Sequence, residues 1–262
     1  MGKFYAVRVG AKPGIYETWA ECERQVKGYK GAIYKSFPNM QDAINFVNEV
    51  PQVDTVKKEQ NQAKDKASSS EANSKKPVTL AEVRDAFCND SIPFPKAYVD
   101  GSYIDGRFSY GVIFMIDENS DIITFAGSSD DKELAKHRNI SGECMAAMTA
   151  MSYAKSIGLD SVSICHDYMG VGLWATGDWK TNHDYTRNYS AYAKEISKSV
   201  KVNFVKVEAH DNDVANEAVD GLAKYEVGLE HKQVRYRDLS QILYEMRTDY
   251  EYEKLDNIIF EK

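Results

Sequence analysis

The sequence predicts an α/β protein in two parts: a mixed five-stranded sheet with flanking helices, preceded by a small α+β domain. Three observations carry that prediction. Residues 52–78, QVDTVKKEQNQAKDKASSSEANSKKPV, hold six Lys and four Ser with no aromatic residue and no sustained apolar period, the composition of a flexible linker. After it, apolar runs at 97–100, 110–116, 121–126, 161–166 and 202–207 follow one another first as hairpin-like neighbours and then alternate with helical stretches, which is the pattern of a mixed sheet. Before it, about fifty residues alternate strand-like and helix-like runs of their own.

In chain order, KFYAVRVG reads as a strand, and Thr18 with Glu21 three residues on caps a helix over WAECERQV. GAIYKSF reads as a second strand. Asn39 with Asp42 opens a second helix that puts Ala43, Phe46, Val47 and Val50 on one face. The domains are set at 1–51, linker 52–78, a large domain 79–230 and a helical extension 231–262. As a coil the 27-residue linker spans on the order of 30 Å, enough for both domains to work on one elongated ligand. The large domain opens with TLAEVRDAFC as a helix. Three further helices are read over ECMAAMTAMSYAKSIG, SAYAKEISKSV and ANEAVDGLAKYEVG. In the extension, Leu239, Ile242, Leu243 and Met246 fall at helical spacing, which reads as a helix packed on the body or on another subunit.

Composition narrows the function classes. No run of about 18 apolar residues is present and the first twenty residues are interrupted by charges, so neither a membrane helix nor a signal peptide is expected. Cys22, Cys88, Cys144 and Cys165 lack zinc-like spacing, which predicts reduced thiols and a cytoplasmic protein. A net charge of −7 excludes a uniformly basic nucleic-acid coat but not a local site where metal ions offset acidic groups.

Four acids stand out by position. Asp100 ends the first strand of the large domain, Glu143 opens the helix after HRNISG, Asp167 follows the strand SVSICH, and Asp220 lies in the last helix of the domain. Sites gather at strand ends along one edge of an α/β sheet, so these carboxylates are expected to converge. Each alone has an ordinary role, Asp as a turn former and Glu143 as a favourable charge near a helix start. The set carries the argument. Clustered carboxylates repel one another, and hard divalent cations with oxygen ligands, Mg²⁺ above all, relieve that repulsion.

Read together and in order, YVDGSY, HRNISGE, ICHDY and HDNDVANEAVDGLAK resemble the type 1 ribonuclease H family, over about residues 96–228. The resemblance implies a ribonuclease H-like fold and an endonuclease that cuts the RNA strand of RNA/DNA hybrids, leaving 5′-phosphate and 3′-hydroxyl ends. It further implies two Mg²⁺ ions, or Mn²⁺, on Asp100, Glu143, Asp167 and Asp220, with His210 as a loop histidine assisting the metal or product release. Ser102, Asn139 and the amides near Gly142 are then placed to read 2′-hydroxyls. Where some relatives carry a strongly basic protrusion, LWATGDWKTNHDYTRNY offers only Lys180 and Arg187, and Trp174 and Trp179 either contact the duplex or pack beneath the loop.

The N-terminal stretch FYAVRVGAKPGIYETWAEC with GAIYKSF is similar to the small hybrid-binding, viroplasmin-like domain that precedes many such nucleases. That likeness assigns Tyr5, Trp19 and Tyr34 to the face that meets nucleic acid and Lys35 to the backbone, while Ser36 stands where a second basic residue often occurs. Residues 1–50 hold seven Lys and Arg against five Asp and Glu, a weak positive excess. In a fifty-residue domain the competing role for Trp19 is core packing. The implied partners are an RNA/DNA hybrid and, secondarily, double-stranded RNA, with no membrane and a monomeric chain. Two other readings use the same residues: a catalytically inactive hybrid or double-stranded RNA binding protein, and a different nuclease of the same superfamily, for which the motif around His210 is the wrong signature.

Overall fold

A computed structural model describes residues 3–29, 31–37, 43, 46–47, 76–208 and 213–252. Residue contacts separate two units, Met1–Asn73 and Ser74–Lys262.

In the small unit, β1 (Phe4–Val9) lies between β2 (Gly14–Tyr16) and β3 (Ile33–Phe37), antiparallel to both. Helix α1 (Trp19–Val26) begins where the sequence predicts, with the Thr18 hydroxyl accepting the Glu21 N–H at 3.3 Å. Its inner side brings Cys22 and Val26 against Val7, with Tyr5, Tyr16 and Ala32 around them. The start of the second helix at Asn39 and Asp42, Val50, and the linker up to residue 75 lie outside the described residues.

The large unit has a five-stranded sheet in the order β6-β5-β4-β7-β8, formed by β4 (Lys96–Ile104), β5 (Arg107–Met115), β6 (Ile123–Ser129), β7 (Ser161–His166) and β8 (Lys201–Lys206). The first three are antiparallel and the last two run parallel to β4. The sheet is therefore mixed, as predicted. Its helices are α2 (Leu80–Asn89), α3 (Lys132–Ala135), α4 (Asn139–Ser156), α5 (Met169–Thr176), α6 (Asp184–Ile196), α7 (Val214–Glu226) and α8 (Arg237–Glu245). Helix α2 starts on a full capping box between Thr79 and Glu82. Val78, which the sequence reading leaves in the linker, is buried and donates its N–H to the Arg235 carbonyl. Among the described residues, no helix is long and apolar enough to cross a membrane.

Three differences from the sequence reading have local causes. Strands β4 and β5 are longer than the apolar runs because Asp105 and Gly106, both at positive φ, close a two-residue hairpin and carry pairing out to Ile104 and Arg107. Asp100 consequently stands mid-strand. Only its parallel neighbour β7 stops beside it, at His166. Helix α4 begins at Asn139, one turn ahead of Glu143, so Glu143 is within the helix and not its opening residue. Helix α5 is absent from the prediction because Gly170 and Gly172 lower helix propensity. It forms nonetheless by burying Val171 and Trp174, and Gly177 in the left-handed conformation ends it.

The extension 231–252 is part of this unit. Tyr236, Leu239 and Leu243 join the core formed by Tyr98, Ile113, Val219 and Leu222. Ile242 and Met246, which share their spacing, remain over 40% exposed. Beyond α8, the Thr248 N–H donates to the Thr124 carbonyl at 2.8 Å and Tyr250 packs on Phe125 and Tyr153.

Candidate active site

The parallel pairing of β4 with β7 ends at Val99 opposite His166, so Asp100, within β4, and Asp167, just past the end of β7, emerge at the same place in the sheet. The N-terminal half of α4 lies across that place at backbone contact distance. A Cβ built on Gly101 would come within 2.4 Å of the Asn139 carbonyl oxygen and the Glu143 nitrogen, and one on Gly142 within 2.0 Å of the Ser109 carbonyl oxygen. Glycine at these two positions is what lets Glu143 approach Asp100.

Carboxylate oxygens of Asp100, Glu143 and Asp167 all lie within 4.8 Å of one another. Asp100 and Glu143 are buried and Asp167 is partly exposed. The Gly101 N–H donates to Asp100 Oδ1 at 2.7 Å, whereas Glu143 Oε2 is buried without a hydrogen-bond partner. Burial, reinforced by the charges of Glu143, Asp167 and Asp220, holds the Asp100 carboxyl well above its usual range. Burial also raises Glu143, with Asp167 adding to the effect. Three crowded acids, two of them held above their usual range and one with an unpartnered oxygen, form an all-oxygen donor set suited to hard divalent cations. Lys206, at the end of β8, is the adjacent cation. Burial lowers its pKa while Asp167, Glu208 and Glu143 act the other way.

Asp220 reaches the same region from α7 and interacts electrostatically with Asp100 and Glu143. Its own environment is opposite. Burial pushes its pKa up, but His231 and Lys224 outweigh that and bring it to about 2. The Lys224 ammonium pairs with Asp220 Oδ2, and His231 Nε2 lies 3.1 Å from the same oxygen and 3.0 Å from Glu217 Oε2. Asn216, buried one turn earlier on α7, directs its amide nitrogen toward Asp167 Oδ2 at 3.5 Å and leaves its Oδ1 without a partner.

The other predicted positions fall as follows. His210 lies outside the described residues. Ser102 is buried in β4 opposite Ser109, and Asn139 is half-buried at the start of α4. Trp174 packs beneath the loop, 4% exposed, with Trp179 edge-on to it at 5.9 Å. In the small unit, Trp19 stands between Tyr5 and Tyr34 with ring centroids 5.8 and 5.7 Å away. Trp19 is 43% and Tyr34 45% exposed, so this group is a surface and not the core. Lys35 is exposed on β3 next to Tyr34 in sequence, but it pairs with Ala6 and lies over the Phe37 ring at 5.3 Å, so it points to the other face of the sheet. The sequence reading missed Asn216, Glu217, Lys206 and His231. Asn216 and Glu217 had a signal, four and three residues before Asp220 on one helical face; His231, beyond the last motif, had none.

Known proteins share both units. Residues 95–227, half of the chain, match the family model described as RNase H, and residues 3–47 match the one described as Ribonuclease H1 N-terminal domain. Ribonuclease H of Saccharomyces cerevisiae is 54% identical over 48 residues, 18% of this chain and 14% of that one. A Crithidia fasciculata ribonuclease H is 48% identical over 48 residues, 10% of its length. Human ribonuclease H1 is 24% identical over 258 residues, covering 85% of this chain and 88% of its own. Among solved structures, an RNase H1 from Halobacterium salinarum aligns with a TM-score of 0.41 and 22% identity over 50% of this chain and 96% of that chain.

Proposed function

Since the chain belongs to the ribonuclease H family, we propose that it hydrolyses the RNA strand of RNA/DNA hybrids endonucleolytically, with Asp100, Glu143, Asp167 and Asp220 as its metal-binding carboxylates. The observation that carries this reading is the cluster of buried Asp100 and Glu143 with partly exposed Asp167, one Glu143 oxygen being unpartnered. A protein that only bound nucleic acid would gain nothing from two buried carboxylates and a third at their rim that destabilise one another.

Two Mg²⁺ ions, or Mn²⁺, held by these residues would supply Lewis-acid stabilisation to the attacking water and the leaving 3′ oxygen in an in-line displacement, giving 5′-phosphate and 3′-hydroxyl ends. The protein's own contribution is positional. Asp100 is fixed by the Gly101 N–H, Glu143 is held against it by the close approach of α4, and Asp167 sits at the partly exposed rim where a phosphodiester enters. Lys206 tempers the negative field on the β8 side. Asn139, at the start of α4, is our candidate for contact with a 2′-hydroxyl, with Ser102 behind it, and His210 for assisting product release. In the small unit, Tyr5, Trp19 and Tyr34 present ring faces to sugars and bases.

The test is a panel in which one end-labelled RNA strand is offered as an RNA/DNA hybrid, as double-stranded RNA and alone, in Mg²⁺. Cleavage confined to the hybrid is expected. Equal cleavage of double-stranded RNA, or binding of hybrid without cleavage in Mg²⁺ or Mn²⁺, would overturn the reading.

A further inference from the structure

We propose that the segment following α7 completes the active site, with His231 as a positioning residue that holds Asp220 in the orientation needed to bind a divalent cation. The inference rests on the reading of Asp220 as a metal-binding carboxylate.

His231 and Gln233 lie beyond the region that matches the RNase H model, which ends at residue 227. The His231 side chain is 1% exposed, and its Nε2 lies between two carboxylates at ion-pair distance, 3.0 Å from Glu217 Oε2 and 3.1 Å from Asp220 Oδ2, without hydrogen-bond alignment to either. The ring is fixed from its other side. Nδ1 lies 3.0 Å from the Gln233 backbone N–H and 3.1 Å from the Gln233 carbonyl oxygen, so it accepts from the first in the neutral ring and donates to the second in the charged one, and the two carboxylates facing Nε2 favour a proton there. A protonated ring keeps it there too, so the donor facing Asp220 persists in either charge state.

The rest of the segment locks this arrangement. Gln233 Nε2 donates to Glu217 Oε2 at 2.9 Å, Arg237 Nε donates to the His231 carbonyl at 3.2 Å, and the Tyr236 ring lies 4.9 Å from the imidazole. The segment approaches α7 closely enough that a Cβ on Gly221 would come 2.3 Å from Ser240 Oγ and 3.4 Å from His231 Cδ2. Packing of Leu239 and Leu243 into the core anchors the whole segment.

Glu217, Asp220 and His231 could by donor type hold a transition metal themselves. The Lys224 ammonium on Asp220 Oδ2 argues against that, because it fills the place a cation would take. The consequence for Asp220 is geometric. One oxygen is engaged by Lys224 and His231, so the carboxylate cannot rotate freely, and its other oxygen is left for the cations shared with Asp100 and Glu143. Outer hydrogen bonds of this kind orient metal ligands, and their loss typically costs about 10- to 100-fold in metal affinity or activity.

The experiment uses the full chain as native protein, His231→Ala, His231→Gln and Gln233→Ala. Mn²⁺ binding is measured calorimetrically without substrate, the Mg²⁺ concentration for half-maximal hybrid cleavage and the KM for hybrid are measured at saturation of the other component, and Tm is taken in EDTA. We expect His231→Ala to weaken Mn²⁺ binding about 10- to 100-fold and to raise the Mg²⁺ midpoint by the same factor, with KM for hybrid unchanged. His231→Gln, which can offer an N–H at the same place, should recover most of both. Native metal binding in a folded His231→Ala variant, or a Gln variant as impaired as Ala, would overturn the proposal. If the alanine variant does not fold, His231→Gln and Gln233→Ala decide: a Gln233→Ala chain with unaltered Mn²⁺ affinity, together with a native-like Tm, would overturn the locked geometry. Failure of the native chain to cut hybrid would overturn the functional reading, whereas unchanged Mn²⁺ affinity in His231→Ala would overturn the positioning role alone.

Discussion

Asp100 and Asp220 are the same residue type, both withdrawn from water and close enough to feel each other's charge, yet their surroundings drive them apart. Asp100 sits among carboxyls and is pushed well above the usual range by burial and then by Glu143. Asp220 is mostly withdrawn from water, which also pushes it up, but His231 and Lys224 outweigh that and hold it at about 2. One half of the site therefore gains from cations the protein must acquire, while the other carries its own. The lesson is that depth alone does not decide protonation. The sign of the neighbouring charges settles whether burial is reinforced, as at Asp100, or reversed, as at Asp220.

The largest expected effect treats the halves alike. Asp100→Asn and Asp220→Asn should each lower kcat for hybrid cleavage by about 10³-fold or more, since metal charge stabilisation is worth several kcal/mol. A near-native rate in either would break the link between the halves. The next concerns what supports the Asp220 side. Leu243→Ala should cost about 2–5 kcal/mol in urea unfolding, while Ile242→Ala, on the exposed face of the same helix, should stay within about 0.5 kcal/mol.

The same two aspartates should then part company in stability. In EDTA, Asp100→Asn relieves repulsion and should raise Tm. Asp220→Asn removes the partner of buried His231 and Lys224 and should lower it, by an amount corresponding to about 1–3 kcal/mol. Changes of the same sign would contradict the contrast. Titration should show it as well. Asp100 and Glu143 have raised folded pKa values, so metal-free protein loses stability as pH climbs past their ordinary 3.8 and 4.5, and Mg²⁺ should flatten that slope. Asp220, at about 2 against 3.8, adds stability above 3.8 that is lost as pH falls toward 2. His231, at about 9 against 6.5, adds stability below 6.5 that is lost as pH rises through 9. Urea unfolding in EDTA across pH reads all three. The smallest effect lies in the other unit: Trp19→Ala should weaken hybrid binding by about 1–3 kcal/mol in a direct titration and leave kcat at saturating hybrid unchanged.

Much of this was legible because it depends on local order. Asp100 and Asp167 follow apolar runs, and strand ends sharing an edge place such residues together whatever the tertiary detail. Elements whose formation depends on packing were harder. Helix α5, with Gly170 and Gly172, exists because its glycines let it approach Tyr168 and His166, which no propensity announces. The length of the β4–β5 hairpin was written in Asp105–Gly106 but hidden by the polar residues between the apolar runs. Trp19 looked like core material by size, and its exposure beside Tyr5 and Tyr34 is settled only when Val7, Cys22 and Val26 are seen to fill the small core without it. The environment of Asp220 was the least accessible, because His231 arrives from a segment with no motif of its own and Lys224 reads as an ordinary surface charge.

The most direct measurement of the central claim is cleavage of an end-labelled RNA strand in an RNA/DNA hybrid by the native chain and by Asp167→Asn, each in Mg²⁺ and in EDTA, with product ends identified. The account predicts cutting by the native chain in Mg²⁺ alone, with 5′-phosphate ends, and none by the variant or in EDTA. Cutting that persists in EDTA or in Asp167→Asn would contradict it, because the carboxylates would then not be holding the ions that do the chemistry.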